Sequence, residues 1–236
     1  MADKLYKAFG KSVTGASHKR SGLPNQDAIG WSEGDSSGQP LVLAVSDGHG
    51  SHRCFRSDRG AKFAVEAALA LVKEDMIELT SDVIKSRSAV VEERIPKLLT
   101  AHWLKRVEID RDEHPFTETE LDGVKQKGDT KDLASINNNP ALAYGATLLA
   151  VIVGIDVILY LQIGDGDILT VADNSDGTDE GFLKIGSDYL NLIKSMGPEG
   201  VEKNSKIGLN DQPSQAAATT LHWGLSTDRK RQAHEL

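Results

Sequence analysis

Short apolar segments that end at an aspartate are the feature that most restricts how this chain can fold. The run 41–45 is wholly apolar and leads into Asp47-Gly48-His49-Gly50. A run of this kind before a glycine-containing turn is typical of a buried strand. The glycines allow the backbone to turn sharply and to approach a ligand closely. The sequence therefore predicts an aspartate and a histidine held at the exit of a buried strand.

Three other aspartates stand next to predicted strands. Two apolar runs joined by a short polar turn predict a β-hairpin over 146–163, and Asp165 follows it after Gly164. Asp27 comes just before a short strand candidate, and Asp228 ends the apolar run 219–226. Carboxylate oxygens are the ligands that Mg²⁺ and Mn²⁺ prefer. Four acids beside β-segments could therefore converge on a site for more than one such ion.

The sequence predicts helices in the middle of the chain, between two groups of predicted strands. Helices are predicted over 57–79 and 81–94, and Pro96 suits the first turn of a third helix. The charged stretch 110–139 is predicted to be a polar surface insertion or a partly mobile loop. Strand hairpins and a grouped helical section indicate an α+β fold, with mainly antiparallel sheets and helices packed outside.

Composition narrows the class of protein. The chain has 236 residues, 39% hydrophobic and 26% charged, which fits a single domain over 1–236. Its net charge of −8 argues against general nucleic-acid binding. Neither a signal peptide nor an apolar stretch long enough to span a bilayer is evident, so we expect a cytoplasmic protein without a membrane partner. Cys54 is the single cysteine, which excludes an intramolecular disulfide.

Five short motifs follow one another in a set order and spacing: 17–18 with 22–27, 47–50, 145–147, 164–165 and 225–228. Together they resemble the motifs of the type 2C metal-dependent serine/threonine protein phosphatases, most closely the bacterial-type branch. The segments 51–61 and 114–117 also look like that branch. The resemblance extends over about residues 10–228. It implies a more specific fold, an antiparallel β-sandwich flanked by helix pairs with a metal site at one end of the sandwich.

The same resemblance implies a function in signalling. The expected reaction is hydrolysis of phosphoserine and phosphothreonine in proteins, such as the products of a Ser/Thr kinase, by a metal-activated water. Two or three Mn²⁺ or Mg²⁺ ions are expected. The aspartates can alternatively shape turns, and the histidine can be a surface turn residue. The residues assigned by resemblance are Asp27, Asp47, the Gly48 carbonyl, Asp165 and Asp228 as metal ligands, and His49 as the general acid.

Phosphate binding is assigned to His18, Arg53 and Arg56, because a guanidinium group matches phosphate oxygens bidentately. Each of these residues also has a structural interpretation. His18 can form hydrogen bonds within a loop. Of Arg53, Arg56 and Arg59, at least two are expected to be ion-paired within the fold or solvated.

The chain departs from the family pattern at three positions. Gly22 stands where many members have a phosphate-binding arginine, and Gln26 stands where glutamate is usual. No aspartate follows Asp228, where the family supplies another metal ligand. Either the C-terminus is altered or incomplete, or water and Asp165 hold the second metal instead. An alternative function is a catalytically weak phosphatase-like module that binds phosphoproteins or regulates a partner, and a further alternative is a metal-binding domain of another kind.

Overall fold

The computed structural model describes residues 8–34, 40–74, 80, 94–128, 130–154, 157–171, 182–185 and 193–195. These residues form helices and antiparallel strands joined by turns. The α-helices are α1 (Ala16–Ser21), α2 (Ser57–Lys73), α3 (Ile95–Glu113), α4 (Glu118–Lys127) and α5 (Thr130–Asn138), and a 3-10 helix, η1, covers Pro140–Tyr144. The strands are β1 (Asp27–Ser32), β2 (Leu41–Asp47), β3 (Leu148–Val153), β4 (Ile158–Ile163), β5 (Ile168–Val171), β6 (Phe182–Ile185) and β7 (Ile193–Ser195).

Five of these strands form one antiparallel sheet in the order β1-β2-β3-β4-β7, and β5 pairs with β6 in a separate two-stranded ladder. Each neighbouring pair in the large sheet is antiparallel. Successive strands therefore run in opposite directions. As a result, the start of β1, the end of β2, the start of β3 and the end of β4 lie at the same end of the sheet.

The main core lies between this sheet and α2. Alternate residues of β2, such as Val42 and Ala44, face the helix together with alternate residues of β3 and β4. The alanine-rich α2 can approach the sheet closely because its side chains are small. At Gly30 a Cβ atom would lie 2.7 Å from Val65 Cγ1, so β1 and α2 come closer there than a larger residue would permit. Helix α3 packs against α2 and adds Leu99 to the same core.

The α+β class predicted from the sequence is confirmed, and so are the hairpin formed by β3 and β4 and the helix that begins near Pro96. The two-sheet sandwich and the single domain over 1–236 stay predictions. The helix predicted over 81–94 falls largely on residues outside the described ranges, as does the strand predicted at 219–226. No described helix is both long and apolar enough to cross a membrane.

The interpretation of 110–139 as a loop is wrong, because the described part of this stretch is mostly helical. Helix α4 begins with a capping box, in which the Thr117 hydroxyl accepts a hydrogen bond from the Glu120 N–H and the Glu120 carboxylate accepts one from the Thr117 N–H. These two bonds satisfy backbone groups that the first turn leaves unpaired. Most charged residues of the stretch lie on exposed helical faces, whereas Asp110 and Glu120 pair with arginines of the fold. Whether it is an insertion stays a prediction.

Candidate active site

Asp27 and Asp47 are directly opposite each other on β1 and β2. Residues paired in this way point to the same face of a sheet, with Cβ atoms about 4.5–5.5 Å apart. Two like charges in such a pair destabilise the sheet unless something compensates them. The register therefore creates a carboxylate pair at the end of the sheet where β1 starts and β2 ends.

The pKa of Asp47 reflects the acidic groups around it. Burial raises the pKa of Asp47 to about 6, with further contributions from the charge of Asp27, a hydrogen bond with Asp27 and the charge of Asp165. His49 acts in the opposite direction. The structure thus brings Asp27 and Asp47 into contact and places Asp165 close enough to act on Asp47 through its charge. A cation between the carboxylates would remove the repulsion that adds to the effect of burial on this pKa.

Gly48 is confined between two other segments of backbone. Its N–H donates to the Gln26 carbonyl at 3.1 Å, and Gln26 Nε2 donates to Ser57 Oγ at 2.8 Å. A Cβ atom on Gly48 would lie 2.6 Å from the Ser57 carbonyl oxygen and 2.8 Å from that of Gln26. Only glycine fits here, so the backbone after Asp47 is held in place by its surroundings. The Gly48 carbonyl as a metal ligand stays a prediction.

Thr147 connects β2 to the turn that carries Asp165. Its backbone N–H donates to the Asp47 carbonyl at 2.8 Å, and its hydroxyl accepts from the Asp47 N–H at 3.1 Å. The turn after β4 passes directly over it, since a Cβ atom on Gly164 would lie 2.8 Å from Thr147 Cγ2. Gly164 and Gly166 have φ angles of +85° and +118°, a region that side chains rarely permit.

His49 follows the carboxylate pair and is exposed. Its backbone N–H donates to the Gly145 carbonyl at 3.0 Å. Its Nδ1 atom lies 3.2 Å from the position that a Gly145 Cβ would take, and Cys54 Sγ lies 2.9 Å from the same point. The imidazole ring therefore lies over Gly145 and is accessible to a ligand. An exposed imidazole next to carboxylates is able to donate a proton.

Arg56 is a buried structural residue, which corrects its assignment as a phosphate ligand. Its side chain is 5% exposed. The five N–H groups of a guanidinium all have acceptors here: both Glu120 carboxylate oxygens at 2.8 and 2.9 Å, the His114 and Pro115 carbonyls at 2.6 and 3.1 Å, and the Tyr144 hydroxyl at 2.9 Å. These contacts leave Arg56 without a donor for a phosphate.

The other basic residues considered for phosphate binding, Arg59, Arg53 and His18, differ in how exposed and how engaged they are. Arg59 donates to both oxygens of Asp110, at 3.0 and 2.9 Å. The Arg53 side chain is half-exposed, and its Nη1 lies 3.5 Å from an Asp132 oxygen. His18 lies on α1, where its carbonyl accepts the N–H groups of the two residues that follow the helix. Phosphate binding by Arg53 and His18 stays a prediction.

The side chains at this end of the sheet have the right chemistry for a hard divalent cation, but the described residues do not form a complete metal site. Asp27, Asp47 and Asp165 offer only carboxylate oxygens, which Mg²⁺ and Mn²⁺ prefer. Within the described ranges, however, no three His, Cys, Asp or Glu side chains are arranged to hold a metal ion. Asp228, the last predicted ligand, lies outside those ranges.

Sequence reasoning did not single out Gln162. This residue belongs to the apolar strand β4, is 0% exposed, and donates hydrogen bonds to the turn that carries Asp165. The only sequence signal was the presence of an amide side chain within an otherwise apolar run.

No curated protein matches the chain. Three matching crystal structures are of bacterial serine phosphatase with one arginine replaced by lysine, glutamate or alanine. Their identities are 15%, 12% and 14%, and their TM-scores are 0.38, 0.39 and 0.37. The matches cover 78%, 96% and 95% of this chain and 55%, 72% and 71% of those chains. The chain thus spans about half the length of the first of these phosphatase chains.

The family model described as Protein phosphatase 2C matches residues 14–207, which is most of the chain. The matched range includes Asp27, Asp47, His49 and Asp165. Because the structural similarities have low TM-scores, only the match to the family model identifies the family. This chain belongs to the protein phosphatase 2C family.

Proposed function

We propose that this protein hydrolyses phosphoserine and phosphothreonine in phosphorylated proteins in a metal-dependent reaction. The observation that carries the proposal is the cross-strand pair formed by Asp27 and Asp47, with Asp165 nearby. A carboxylate pair at the end of a sheet is costly unless a cation neutralises it. Membership of the protein phosphatase 2C family supports the same reaction class.

The proposed metal ligands are the side chains of Asp27, Asp47 and Asp165, the carbonyl of Gly48, and Asp228. We propose two or three Mn²⁺ or Mg²⁺ ions. When bound, such ions lower the pKa of a coordinated water and neutralise the negative charge of a phosphate. The chain's own contribution is to hold the carboxylates in place. The β1–β2 register and the two hydrogen bonds between Thr147 and the backbone of Asp47 do this.

His49 is the proposed general acid, which protonates the leaving seryl or threonyl oxygen. Its ring is exposed and lies over Gly145, so a substrate can reach it. Its backbone N–H is tied to the Gly145 carbonyl, which limits movement of the residue relative to the carboxylates. Arg53 and His18 are the proposed phosphate-binding side chains that remain, since Arg56 is fully engaged within the fold.

A catalytically weak module that binds phosphoproteins is the second candidate, and one observation favours it. Gly22 ends α1 with φ +67°, and its N–H donates to the His18 carbonyl. A side chain is strained at this φ, so the position is suited to glycine. The resemblance implies a phosphate-binding arginine at this position in many family members. This chain uses the position to end a helix, so its phosphate binding must rely on other residues.

Hydrolysis of a phosphothreonine peptide during a Mn²⁺ titration tests the proposal. Asp47→Asn keeps the side-chain shape but removes the charge, so metal affinity measured by calorimetry and turnover should both fall by orders of magnitude. Asp112→Asn is a matched control, because Asp112 is 75% exposed on α3. It should behave like the unmodified protein.

Full turnover in excess EDTA would contradict the proposed reaction. Mn²⁺ binding with negligible turnover would favour the weak module instead. Unchanged metal affinity in Asp47→Asn would remove Asp47 from the site.

A further inference from the structure

Gln162 is a buried amide beside the turn that carries Asp165. It is 0% exposed, and its Nε2 donates to the carbonyls of both Gly164 and Gly166 at 3.1 Å. The orientation of the amide follows from chemistry, because two carbonyl oxygens can only accept. One side chain therefore spans the turn and ties both of its glycines to strand β4.

The turn is built on two glycines. Both glycines have positive φ, and glycine is the residue with the most backbone freedom to lose. The two glycines are also pressed against the neighbouring strand: a Cβ on Gly164 would meet Thr147 Cγ2 at 2.8 Å, and one on Gly166 would meet Leu149 Cδ1 at 2.9 Å. The hydrogen bonds from Gln162 therefore restrict the turn at 164–166 to one of the conformations open to its glycines. In that conformation the turn packs against Thr147 and Leu149.

Thr147 extends this connection to the carboxylate pair. The residue that Gly164 packs against is the one that makes two hydrogen bonds to the backbone of Asp47. Asp165 lies between the two carbonyls that Gln162 holds. A continuous set of contacts thus runs from Gln162 through the turn and Thr147 to Asp47.

The burial of Gln162 is costly for the fold. Its Oε1 atom is buried and has no hydrogen-bond partner within the described part of the chain. Leaving a buried acceptor unpaired costs free energy, and such a group in a folded protein calls for an explanation. An apolar residue of similar size would avoid that cost, as at the neighbouring positions of β4. What glutamine adds is the amide N–H groups that reach the turn.

We propose that Gln162 is a positioning residue, which fixes the turn at 164–166 and thereby holds Asp165 beside Asp47. The consequence for metal binding rests on the proposed function; the effect on the turn does not. Residues that orient metal ligands without touching the metal are typically worth 10–100-fold in metal affinity. A similar loss is expected when the Gln162 amide is removed.

Two measurements on Gln162→Leu test the inference. Leucine keeps a similar volume and removes the amide, and the two carbonyls can turn to solvent because Gly164 and Gly166 are partly or fully exposed. In metal-free protein, ¹⁵N relaxation should show lower order parameters for the amides of 164–166. In calorimetry, Mn²⁺ affinity should fall by roughly 10–100-fold. Leu161→Val is the matched control, since it alters the adjacent residue, which faces the helix-side core.

The double variant Gln162→Leu with Asp165→Asn shows whether Gln162 acts through Asp165. If it does, the double variant binds Mn²⁺ no more weakly than Asp165→Asn alone, because the two losses are not additive. Additive losses would overturn the inference, and so would unchanged order parameters at 164–166 or equal changes in Leu161→Val. If the unmodified protein binds no Mn²⁺, the proposed function fails, and the relaxation result alone decides whether Gln162 fixes the turn.

Discussion

Single glycines decide how closely segments of this protein approach each other. At Gly60 in α2, a Cβ atom would lie 1.7 Å from the Tyr144 carbonyl oxygen, so the helix and the end of η1 are in backbone contact. At Gly123 in α4, nothing lies within 4 Å of the corresponding position. Both glycines lie in helices, so alanine has a similar helix propensity advantage at each. A difference between the two alanine variants therefore measures the effect of tertiary packing.

Gly60→Ala should therefore destabilise the protein, while Gly123→Ala should not. The added methyl at Gly60 meets backbone, which cannot move aside like a flexible side chain, and overpacking of this kind costs roughly 1–3 kcal/mol or more. At Gly123, alanine should stabilise the helix by up to about 1 kcal/mol. Urea unfolding of both variants measures the difference. Equal stabilities would show that α2 and η1 can separate without cost.

His49→Ala should separate the proposed general acid from the proposed metal ligands. A serine or threonine alkoxide is a poor leaving group and needs a proton, whereas nitrophenolate leaves readily. General acid help is worth roughly 10²–10⁴-fold, so phosphopeptide hydrolysis should fall by about that factor and p-nitrophenyl phosphate hydrolysis much less. Metal affinity should change little. Equal losses on both substrates would argue against the acid role.

At the scale of secondary-structure elements, Arg56 joins the start of α2 to α4 and η1. It lies 4.7 Å from the centre of the Phe116 ring and bonds Glu120 in the first turn of α4. Burial would raise the pKa of Glu120, but hydrogen bonds from Arg56 and Thr117 outweigh it and lower that pKa to about 2. Tyr144 connects the same group to Asp110 of α3 through a 2.7 Å hydrogen bond. The loop after His49 is thus supported by three helical elements.

Glu120→Gln should reduce stability by about 1.5–3 kcal/mol at neutral pH, the range for a hydrogen bond to a charged group. Because the folded-state pKa is about 2, below its ordinary value of 4.5, the unfolded chain binds the proton more tightly. The contribution of Glu120 is therefore complete above pH 4.5 and is lost as the pH falls towards 2. The stability difference between the two proteins should shrink over that window in urea unfolding experiments.

Glu118→Gln is the control for this effect, since Glu118 is an exposed acid in the same first turn of α4. Its stability loss should be below about 1 kcal/mol, the usual size of a helix-dipole interaction. An equal loss in both variants would assign the effect to the helix end and not to Arg56.

At the scale of the whole molecule, metal binding and folding should be linked. A ligand that binds only the folded state, present at 100 times its Kd, stabilises that state by about 2.7 kcal/mol. For a domain of this size, each kcal/mol raises Tm by about 2–4 °C. Saturating Mn²⁺ should therefore raise Tm by about 5–10 °C, and Asp47→Asn should abolish most of that rise. An equal rise in Asp47→Asn would place the stabilising ion elsewhere.

The positions of β1 to β4 and the fold class could be predicted from the sequence, because burial leaves a local pattern. Most residues of β2 are buried, so nearly every position in it must be apolar. The hairpin of β3 and β4 is equally visible as two apolar runs around a turn. The helices in the described part of 110–139 were missed because the charged residues suggested a loop. The capping box at Thr117 and Glu120 was the local signal that could have corrected this.

The sequence by itself determined which chemical groups stand at the ends of strands, and only the tertiary structure decided which of them meet. Asp27 and Asp47 are paired because β1 and β2 are antiparallel in one particular register. Arg56 is buried in an ion pair with Glu120, which lies 64 residues further along the chain. Contacts across such separations depend on how elements pack, whereas strand and turn preferences depend on neighbouring residues. The residues near each predicted strand could therefore be named from the sequence, but their partners could not.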